Sequence, residues 1–473
     1  MWRKIESALG GPARTQVVVV LGGVLALSSA DTATVGASAA PLRHALHISN
    51  ADLGLLVGVN CVVAAIASLP FGVIADKLRR TTVLGGSIVL WGVCMVWSAL
   101  VGSFEHLLIT RLALGVVTAS AGPVIASMLG DWFPSGERGK IYSYVLTGEL
   151  LGGGIGFAIT GDVSALSWRL SFLLLAVPAF VLARMVFRLP EPIRGGGGQI
   201  AYGATEIPRV AVEIDDPLED EDDPADNVAH HVSRTKGVEP DPDQVLSGDA
   251  RLMGFWQATR YIMSIRTNKI MILASAFGYF YLTGVQTFGA ELVQQQYGIN
   301  IAFANLLILI VGVGAVIGVL VGGRLGDSLL KRRFLNGRVF VAAIASAIAA
   351  FAFIPALTTH HPMHALPYLI LAAFGLSAQN PPLNAARLDI MPAPLWGRAE
   401  GIRTFLRTAA QALAPMLFGF MSDTIFGGGA HALRWTFLVM LVPLAASAFY
   451  LFKALRTYPR DVATAAAFHA RER

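Results

Sequence analysis

The chain has 473 residues, of which 54% are hydrophobic and only 14% are charged, and its mean hydropathy is +0.60. A soluble domain carries about 25% charged residues, so this composition excludes a water-soluble globular protein, and two cysteines cannot form a disulfide framework. The net charge is +5, although 15 of the 31 acidic residues lie between Glu191 and Asp249. The excess of Lys and Arg elsewhere is typical of loops at one membrane face. No nucleic-acid partner is expected, because no basic stripe contains interspersed aromatic residues.

Twelve apolar segments are long enough to cross a bilayer as helices. Six precede the acidic stretch, at residues 16–40, 50–75, 81–102, 105–130, 138–161 and 167–188. Six follow it, at residues 269–292, 301–326, 338–358, 365–390, 398–424 and 432–454. The sequence therefore predicts an all-α membrane protein with twelve transmembrane helices in two six-helix halves.

The predicted domains are an N-terminal bundle over residues 1–190, a C-terminal bundle over residues 267–457 and a tail over residues 458–473. The linker between the bundles, residues 191–266, is rich in Gly, Pro and Asp and has too little apolar surface to offset its ordering entropy. We therefore expect a mobile linker. Within it, the amphipathic piece Leu252–Ile265 is predicted to lie along the membrane surface.

Basic residues in the short loops predict the orientation in the membrane. Clusters such as Arg79–Arg80, Arg138–Lys140 and Lys331–Arg333 fall on one side, whereas the other side holds isolated arginines. Loops rich in Lys and Arg stay in the cytoplasm. Both termini and the linker are therefore expected to be cytoplasmic, in a cell (inner) membrane.

Two short motifs occur once in each half, in the same order. The loop Gly72-Val-Ile-Ala-Asp76 follows the second segment, and Gly323-Arg-Leu-Gly-Asp327 follows the eighth. The run Pro134–Gly139 follows the fourth segment, and Pro394–Gly401 follows the tenth. Matching landmarks indicate two homologous halves, an organisation typical of secondary transporters with a binding cavity between the repeats.

These motifs resemble those of the major facilitator superfamily. The Gly72–Arg80 region is similar to its signature loop, with Leu78 where that loop prefers Gly, and Arg111-Leu-Ala-Leu-Gly115 is similar to its second motif. The resemblance implies the twelve-helix fold and alternating-access transport. It also implies a substrate that is a small molecule or a lipid, with membrane lipids as surroundings, and we expect a monomer.

A narrower resemblance is to the spinster-like subgroup, whose members carry lysophospholipids or sphingoid lipids. It rests on Asp31, on Arg111 and on the run Ala119–Pro123. The segment Gly148–Gly154 lacks the proline of the antiporter-type motif, so a simple drug/proton antiporter is not favoured.

Charged side chains at membrane depth are costly and mark candidate coupling sites. Asp31 lies about 22 Å along a helix that enters from the cytoplasm, and Arg111 lies about 9 Å from the opposite surface, so both are at similar depth. We expect Asp31 to be the proton site with Arg111 as its partner. The alternative is a static ion pair that fixes the packing of the first and fourth helices.

Glu149 is the second candidate coupling residue, near the midplane of a Gly-rich fifth helix. It could take a second proton or receive the cationic part of a substrate. The alternative is a hydrogen bond to a neighbouring helix in the protonated state.

Two further sets complete the candidate site. Charged residues at the cytoplasmic helix ends are expected to form a gate that holds the halves together, through ion pairs and helix N-termini. The gating candidates are Asp76, Lys77, Arg80, Asp131, Arg138, Asp327, Arg398 and Arg403. The candidate substrate-binding residues are Arg111, Glu149, Gln286, Asn305, Gln379 and Asn380, with aromatic surface from Phe277, Tyr279, Phe280, Tyr281 and Phe288.

No pattern in the sequence predicts a cofactor, a metal or an enzyme. His360, His361 and His364 cluster before the tenth segment without an acid or Cys nearby, and no nucleotide-binding or hydrolase motif occurs. We therefore expect a proton-coupled secondary active transporter, most simply of an amphipathic substrate such as a lysophospholipid. The alternatives are transport of small organic or drug-like solutes, by efflux or uptake, and a scaffold or receptor that has lost transport.

Overall fold

The computed structural model of the protein describes residues 2–48, 50–194, 198–200, 202–207, 227–246, 248–299, 301–427 and 429–472. The described residues are helical throughout, apart from turns and short connections, and contain no strand. Twelve long helices, α1 to α12, follow one another in two sets of six. The predicted all-α, twelve-helix architecture is confirmed.

The N-terminal half contains α1 to α6. Their bounds are α1 Pro12–Ala37, α2 Asn50–Lys77, α3 Arg80–Leu100, α4 Phe104–Thr118 continued by Ala121–Trp132, α5 Arg138–Leu166 and α6 Trp168–Phe187. The break in α4 precedes Pro123, which has no N–H to donate to the preceding turn. Two short helices, Trp2–Leu9 and Ala39–Leu46, flank α1.

The C-terminal half contains α7 to α12. Their bounds are α7 Arg266–Tyr297, α8 Ile301–Lys331, α9 Gly337–Thr358, α10 Pro362–Ala378 continued by Asn380–Asp389, α11 Trp396–Phe420 and α12 Gly429–Val439 continued by Leu441–Glu472. The break in α10 precedes Pro381 and Pro382, for the same reason as in α4. The last helix runs on to Glu472 with Tyr458 and Val462 buried, so residues 458–472 extend α12 and do not form the separate tail that we expected.

Nine stretches of the described residues are long and apolar enough to span a membrane on those criteria alone, and together they make this a multi-pass membrane protein. They belong to nine of the twelve helices, and the helices without one are α5, α10 and α11. Charges inside the apolar length of α5 and α11, such as Glu149 and Arg407, lower their hydropathy, and α10 is broken into two pieces. Polar groups inside membrane helices face the bundle interior, so these helices mark where the function lies.

Small residues let the helices of the N-terminal half pack closely. Glycines of α5 meet α1 backbone to backbone: a Cβ on Gly148 would lie 2.6 Å from the oxygen of Gly22, and one on Gly152 would lie 2.2 Å from that of Ala26. Close backbone approach of this kind is how helices associate where lipid offers no hydrophobic drive. The glycines of the fifth helix therefore bring it into close contact with the first.

The second part of the linker is ordered. A linker helix, Val228–Thr235, is capped by Asn227 and buries Ala229, His230 and Val232 against the bundles. The expectation of a mobile linker is therefore wrong for residues 227–246, and residues 208–226 lie outside the described residues. A surface helix, Phe255–Ser264, confirms the predicted amphipathic piece, with Ile262 buried while Trp256 is 80% exposed.

Both chain ends and the linker lie at the same end of the bundle. The linker residue Tyr202 lies 5.7 Å from the guanidinium of Arg14, near the start of α1. Further along the linker, the backbone N–H of Asp241 donates to Thr464, near the end of α12, at 2.9 Å. We call this the linker end of the molecule and the other the distal end.

Candidate functional site

Asp76, at the end of α2, binds the start of α11 in the other half. Its carboxylate accepts hydrogen bonds from the backbone N–H groups of Gly397 (2.8 Å) and Arg398 (3.0 Å), and the Arg398 side chain lies 3.1 Å away. These are the second and third residues of α11. A carboxylate there satisfies two N–H groups without helical partners and meets the positive end of the helix dipole. We call this contact the Asp76 latch.

Asp327, at the end of α8, makes the equivalent contact with α5. It accepts from the N–H groups of Gly139 (3.2 Å) and Lys140 (2.7 Å), the second and third residues of that helix. Its cation is Arg338 of its own half, at 2.7 Å, and Arg338 is fully buried and also pairs with Asp389 at 2.5 Å. We call this contact the Asp327 latch.

Glycines allow the helices to cross at the latches. A Cβ on Gly323 of α8 would lie 2.1 Å from the backbone oxygen of Gly139, and one on Gly72 of α2 would lie 2.8 Å from that of Gly397. Beside the second crossing, the Ser68 hydroxyl donates to the oxygen of Gly401 at 3.0 Å. The hydrogen bonds between the halves that involve described residues cluster here, so the linker end is closed.

The other gating candidates lie at the same end, and all except one make contacts there. Arg80 pairs with Asp131 and, at 2.9 Å, with Glu191. Arg138 lies 4.9 Å above the ring of Trp396 in the other half. Arg403 pairs with Glu400, which also holds Arg387 at 3.1 Å. The exception is Lys77, which is exposed and makes no ion pair with any residue in the described ranges.

Glu191 illustrates how these contacts organise the linker end. Its carboxylate accepts from the backbone N–H groups of Arg80 and Thr81, at 3.0 and 2.9 Å, at the start of α3. Partial burial acts to raise the pKa of Glu191, but the hydrogen bonds from Thr81 and Arg80 outweigh it and the pKa is lowered. Glu191 is therefore held in its charged form, as a side-chain cap on α3.

The predicted pairing of Asp31 with Arg111 is present, inside the N-terminal half. The two side chains are 2% and 1% exposed, and Arg111 NH1 lies 3.1 Å from the Asp31 carboxylate. Arg111 also approaches the Ser98 hydroxyl at 3.5 Å and lies 4.6 Å above the ring of Phe172. Helices α1, α3, α4 and α6 thus enclose one ion pair, a costly arrangement that packing alone does not require.

A small, partly open cavity of about 30 Å³ lies between α1, α3 and α4. Its wall carries the hydroxyls of Ser28, Ser87, Thr118 and Ser120, together with Trp91, whose indole N–H has no hydrogen-bond partner. Ser28 precedes Asp31 by one helical turn on the same face of α1. The surface of the cavity is mainly apolar, and its volume is enough for about one or two water molecules beside these hydroxyls.

Where the two halves meet, Glu149 of α5 and Arg407 of α11 are half-buried and interact electrostatically. The guanidinium of Arg407 lies 4.5 Å above the ring of Tyr279 on α7, and its Nε is buried without a hydrogen-bond partner. One turn further along α11, Gln411 donates to the hydroxyl of Thr283 at 3.5 Å. Residues of both halves therefore form a central polar site next to the closed linker end.

The remaining substrate candidates lie at different distances from this site. Gln379 is buried in the break of α10 and donates to the oxygen of Leu376 at 3.1 Å, and Asn380 donates to the same oxygen at 3.5 Å. Gln286 is exposed, on the same face of α7 as Tyr279 and Thr283. The side chain of Asn305 lies outside the described residues. Only Gln286 therefore extends the central site, toward the distal end.

Most of the aromatic residues expected to form substrate surface are packed inside the C-terminal half. Tyr281 is fully buried, with its ring centroid 4.9 Å from that of Phe353, and Phe280 packs against Phe418 at 6.0 Å. Phe277 packs on Tyr450 at 6.2 Å. Of the five expected aromatics, Tyr279 is the one that contacts a charged residue of the central site.

Sequence reasoning missed several charged residues of the site. Arg407 was missed because only acids were considered as coupling residues in the C-terminal half. An Arg well inside an apolar helix is itself a signal of a functional site. Arg338, Asp389 and Arg387 stand at predicted helix ends and were passed over as loop charges. Among the described residues no group of three or more His, Cys, Asp or Glu could hold a metal ion.

Two six-helix repeats, joined by reciprocal latches around a polar centre, define the architecture of a secondary transporter. The chain belongs to the Major Facilitator Superfamily, whose family model matches residues 21–367 and 270–472. It is therefore a transporter of that superfamily.

Two relatives that are named as transporters are distant in sequence but align over most of the chain. A hexuronate transporter of Bacillus subtilis (strain 168) is 21% identical over 402 residues, covering 83% of this chain and 84% of the relative. An MFS-type efflux pump of Mycolicibacterium smegmatis is 22% identical over 467 residues, covering 96% and 95%. Among solved structures, an inward-facing, unoccupied bacterial homolog of the human lysosomal transporter Spinster gives a TM-score of 0.60 at 20% identity, covering 95% of this chain and 98% of that one. At this identity the likeness shows the fold alone.

Proposed function

We propose that the protein is a proton-coupled secondary active transporter that moves a small organic solute across the cell (inner) membrane by alternating access. The linker end is taken as cytoplasmic, from the basic loops, so the structure corresponds to a state closed to the cytoplasm. The solute binds at the central site between the halves, and the monomer is the working unit. The buried Asp31–Arg111 pair is the observation that carries the proposal.

Proton coupling follows from the chemistry of that pair. While Asp31 is charged, it holds Arg111 at 3.1 Å inside the N-terminal half. A proton on Asp31 removes the charge and frees Arg111 to bind elsewhere, for instance to the neighbouring Ser98 hydroxyl. Two arrangements of one Arg, selected by one proton, provide a two-state element of the kind that coupling requires. The small cavity next to Ser28 has room for about one or two water molecules, which could carry the proton toward the pair.

The latches supply the conformational part of the mechanism. Opening the linker end must break the bonds of Asp76 to Gly397 and Arg398 and those of Asp327 to Gly139 and Lys140. Each bond is a charge-assisted contact to a helix N-terminus, so the closed state is stabilised without any contribution from the solute. Solute binding then has to favour one state over the other in order to drive exchange.

The geometry favours a small organic solute over a lysophospholipid. An acyl chain requires an extended apolar surface, yet Phe280, Tyr281 and Phe418 pack on one another inside the C-terminal half. The central site offers charged and amide groups beside one aromatic ring. A hexuronate is a small sugar acid, and the relative that is named for its transport is consistent with such a solute.

The test is transport by purified protein in proteoliposomes with an imposed pH gradient. Candidate solutes are sugar acids, aromatic acids, neutral sugars and lysophospholipids. The wild type is expected to accumulate at least one small solute, Asp31→Asn to lose gradient-driven accumulation but retain counterflow exchange, and Arg111→Ala to lose both. The matched control is Asp423→Asn, at an exposed acid.

Three outcomes would contradict the proposal. Normal accumulation by Asp31→Asn would remove Asp31 from the coupling, and accumulation of lysophospholipids alone would reverse the choice of solute. The complete absence of exchange for all solutes, with folded protein, would favour a receptor or scaffold that has lost transport.

A further inference from the structure

Glu149 and Arg407 occupy the same position in equivalent helices of the two halves. Each is the twelfth residue of its helix, counted from Arg138 in α5 and from Trp396 in α11. The same two helices offer their second and third N–H groups to the latch aspartates. Both residues thus lie about 16 Å from their helix starts, at matching depth. The internal repeat therefore sets an acid of one half against a cation of the other.

Neither residue has its charge compensated by a direct contact. Among the described residues, Glu149 and Arg407 make no hydrogen bond or ion pair, and the Nε of Arg407 is a buried donor without an acceptor. Close by, toward the linker end, the charges are paired: Glu400 holds Arg387 at 3.1 Å and also pairs with Arg403. A buried guanidinium with an unused donor is costly, and native proteins keep such groups where a ligand uses them.

The surroundings of Arg407 define what it can bind. The guanidinium lies over the ring of Tyr279, and no described residue accepts a hydrogen bond from it, so its N–H groups remain for a planar, two-oxygen acceptor such as a carboxylate. Gln411 and Thr283, one turn away, offer neutral hydrogen-bonding groups for the rest of a small molecule. The titratable and charged groups around this position are Tyr279 on α7, Glu149 on α5, Arg387 on α10 and Glu400 on α11.

We propose that Arg407 binds the carboxylate of a small organic acid, and that Glu149 takes up a proton when this anion binds. The inference rests on the proposed function and names the substrate class of the same site. Burial disfavours the charged form of Glu149, and in the empty site the charge of Arg407 opposes this effect of burial. A bound carboxylate occupies that charge and adds a negative group nearby, so the proton moves from solvent to an oxygen of Glu149. The charge of the bound anion is then balanced by the proton on Glu149, which is carried in addition to the proton that Asp31 exchanges.

Binding to purified wild-type protein in detergent is the test, with D-glucuronate and benzoate as probes and glucose and benzamide as neutral analogues. The acids are expected to raise the thermal unfolding temperature, and the neutral analogues are expected to leave it unchanged. Arg407→Gln should weaken binding of the acids by at least about tenfold, because the charge-assisted bidentate contact is lost. Arg332→Gln, at an exposed position, is the matched control.

The pH dependence of benzoate binding and the proton uptake on binding test the role of Glu149 separately. For the wild type, the affinity for benzoate should fall by up to about tenfold per pH unit once Glu149 is ionised in the empty site, because binding is linked to one proton. Glu149→Gln should bind benzoate with an affinity independent of pH. In weakly buffered solution, binding to the wild type should take up about one proton per anion, and binding to Glu149→Gln none.

Several outcomes would overturn the inference. Unchanged binding of the acids by Arg407→Gln, equal binding of the neutral analogues, or stabilisation by lysophosphatidylcholine alone would reject the carboxylate site. If Arg407→Gln does not fold, Arg407→Lys is the second variant, because it keeps the charge but loses the paired N–H donors of the guanidinium. Unchanged affinity for the acids in Arg407→Lys would also reject the carboxylate site. Transport of a neutral solute that requires Asp31 but not Arg407 would overturn the inference and leave the proposed function standing. Binding that depends on Arg407, without any gradient-driven transport, would leave the inference standing and overturn the proposed function.

Discussion

The two latches occupy equivalent positions in the repeats but are built differently. Asp76 takes both its N–H donors and its cation, Arg398, from the other half. Asp327 takes its N–H donors from the other half, but its cation, Arg338, belongs to its own half. Arg338 in turn binds Asp389 and the backbone oxygen of Ser135. In the N-terminal half the corresponding arginine, Arg80, pairs with Asp131 and Glu191 instead.

This difference separates two tasks that a gate must perform. The Asp76 latch consists of contacts between the halves, so all of it is lost when the linker end opens. The ion pairs of Asp327 and Asp389 with Arg338 remain when the end opens, because they lie within one half. One latch therefore contributes mainly to the balance between states, and the other contributes also to the stability of the C-terminal half.

The largest expected effect is that of Arg338→Ala. It leaves the buried carboxylates of Asp327 and Asp389 without their shared cation, and breaking a buried pair costs about 3–5 kcal/mol. Thermal or denaturant unfolding of the purified protein measures the loss. Arg332→Ala, at an exposed position six residues earlier, should change stability by less than about 0.5 kcal/mol. A loss below about 1 kcal/mol for Arg338→Ala would show that the Asp327 latch has no structural role.

Next in size is the contrast between Asp76→Asn and Asp327→Asn. Asp76→Asn weakens hydrogen bonds worth about 1.5–3 kcal/mol in the closed state, so it should favour opening roughly tenfold or more with little effect on unfolding. Asp327→Asn should favour opening and also lower the free energy of unfolding. The measurement is the labelling rate of a cysteine at Ser143, which lies against Gly323, with Cys61 and Cys94 replaced by Ser. Equal effects of both variants on unfolding would remove the distinction between the latches.

A smaller effect is expected where the linker helix crosses the gate. The backbone N–H of Val228 donates to the Ser135 hydroxyl of the N-terminal half at 2.7 Å, while His230 contacts the oxygen of Asp389 in the other half at 2.8 Å. Ser135→Ala removes one of these bonds, worth about 0.5–1.5 kcal/mol, and should raise the Ser143-position labelling rate a few-fold. The control is Ser233→Ala, because the hydroxyl of Ser233 forms its hydrogen bond within the linker helix. An unchanged labelling rate in Ser135→Ala would show that the linker helix does not stabilise the closed linker end.

The smallest expected effect is that of Glu191→Gln on acid stability. The folded-state pKa of Glu191 is lowered, so its contribution is complete above its usual pKa and is lost as the pH falls through the folded value. At neutral pH the variant should lose about 1 kcal/mol, reduced by the partial exposure of Glu191. The difference from the wild type should shrink as the pH falls below the usual pKa of Glu and vanish below the folded-state pKa. Unfolding temperatures of both proteins between neutral and acid pH measure this. A difference that persists in acid would point to packing and not charge.

The sequence predicted the parts of the molecule that depend on local pattern. Runs of apolar residues located all twelve helices, because a membrane helix must bury its backbone polar groups and cover about 30 Å of hydrocarbon. The pairing of Asp31 with Arg111 was also predicted, since depth along two helices can be counted from their ends. The gate residues were recognised from the repeated motifs, although their roles stay predictions.

What the sequence could not give depends on contacts between distant segments. The linker helix has few apolar residues, and it is ordered because Ser135, Asp389 and α12 satisfy its polar groups and cover Ala229 and Val232. Lys77 belongs to the motif, but its side chain is exposed. The rotation of α2 about its axis determines this exposure, and the motif alone does not predict that rotation. Arg407 becomes significant only when the repeats are superposed and it falls opposite Glu149.

The crossing of Gly139 and Gly323 has a practical consequence. A single methyl group on Gly323 would stand 2.0 Å from the hydroxyl of Ser143 and 2.1 Å from the oxygen of Gly139, so even alanine acts there as a wedge. Because the clash involves backbone atoms, which cannot rotate away as a side chain can, it is relieved only when the two bundles separate. Gly323→Ala thus offers a way to trap the form that is open at the linker end, for crystallisation or for the selection of conformation-specific antibodies.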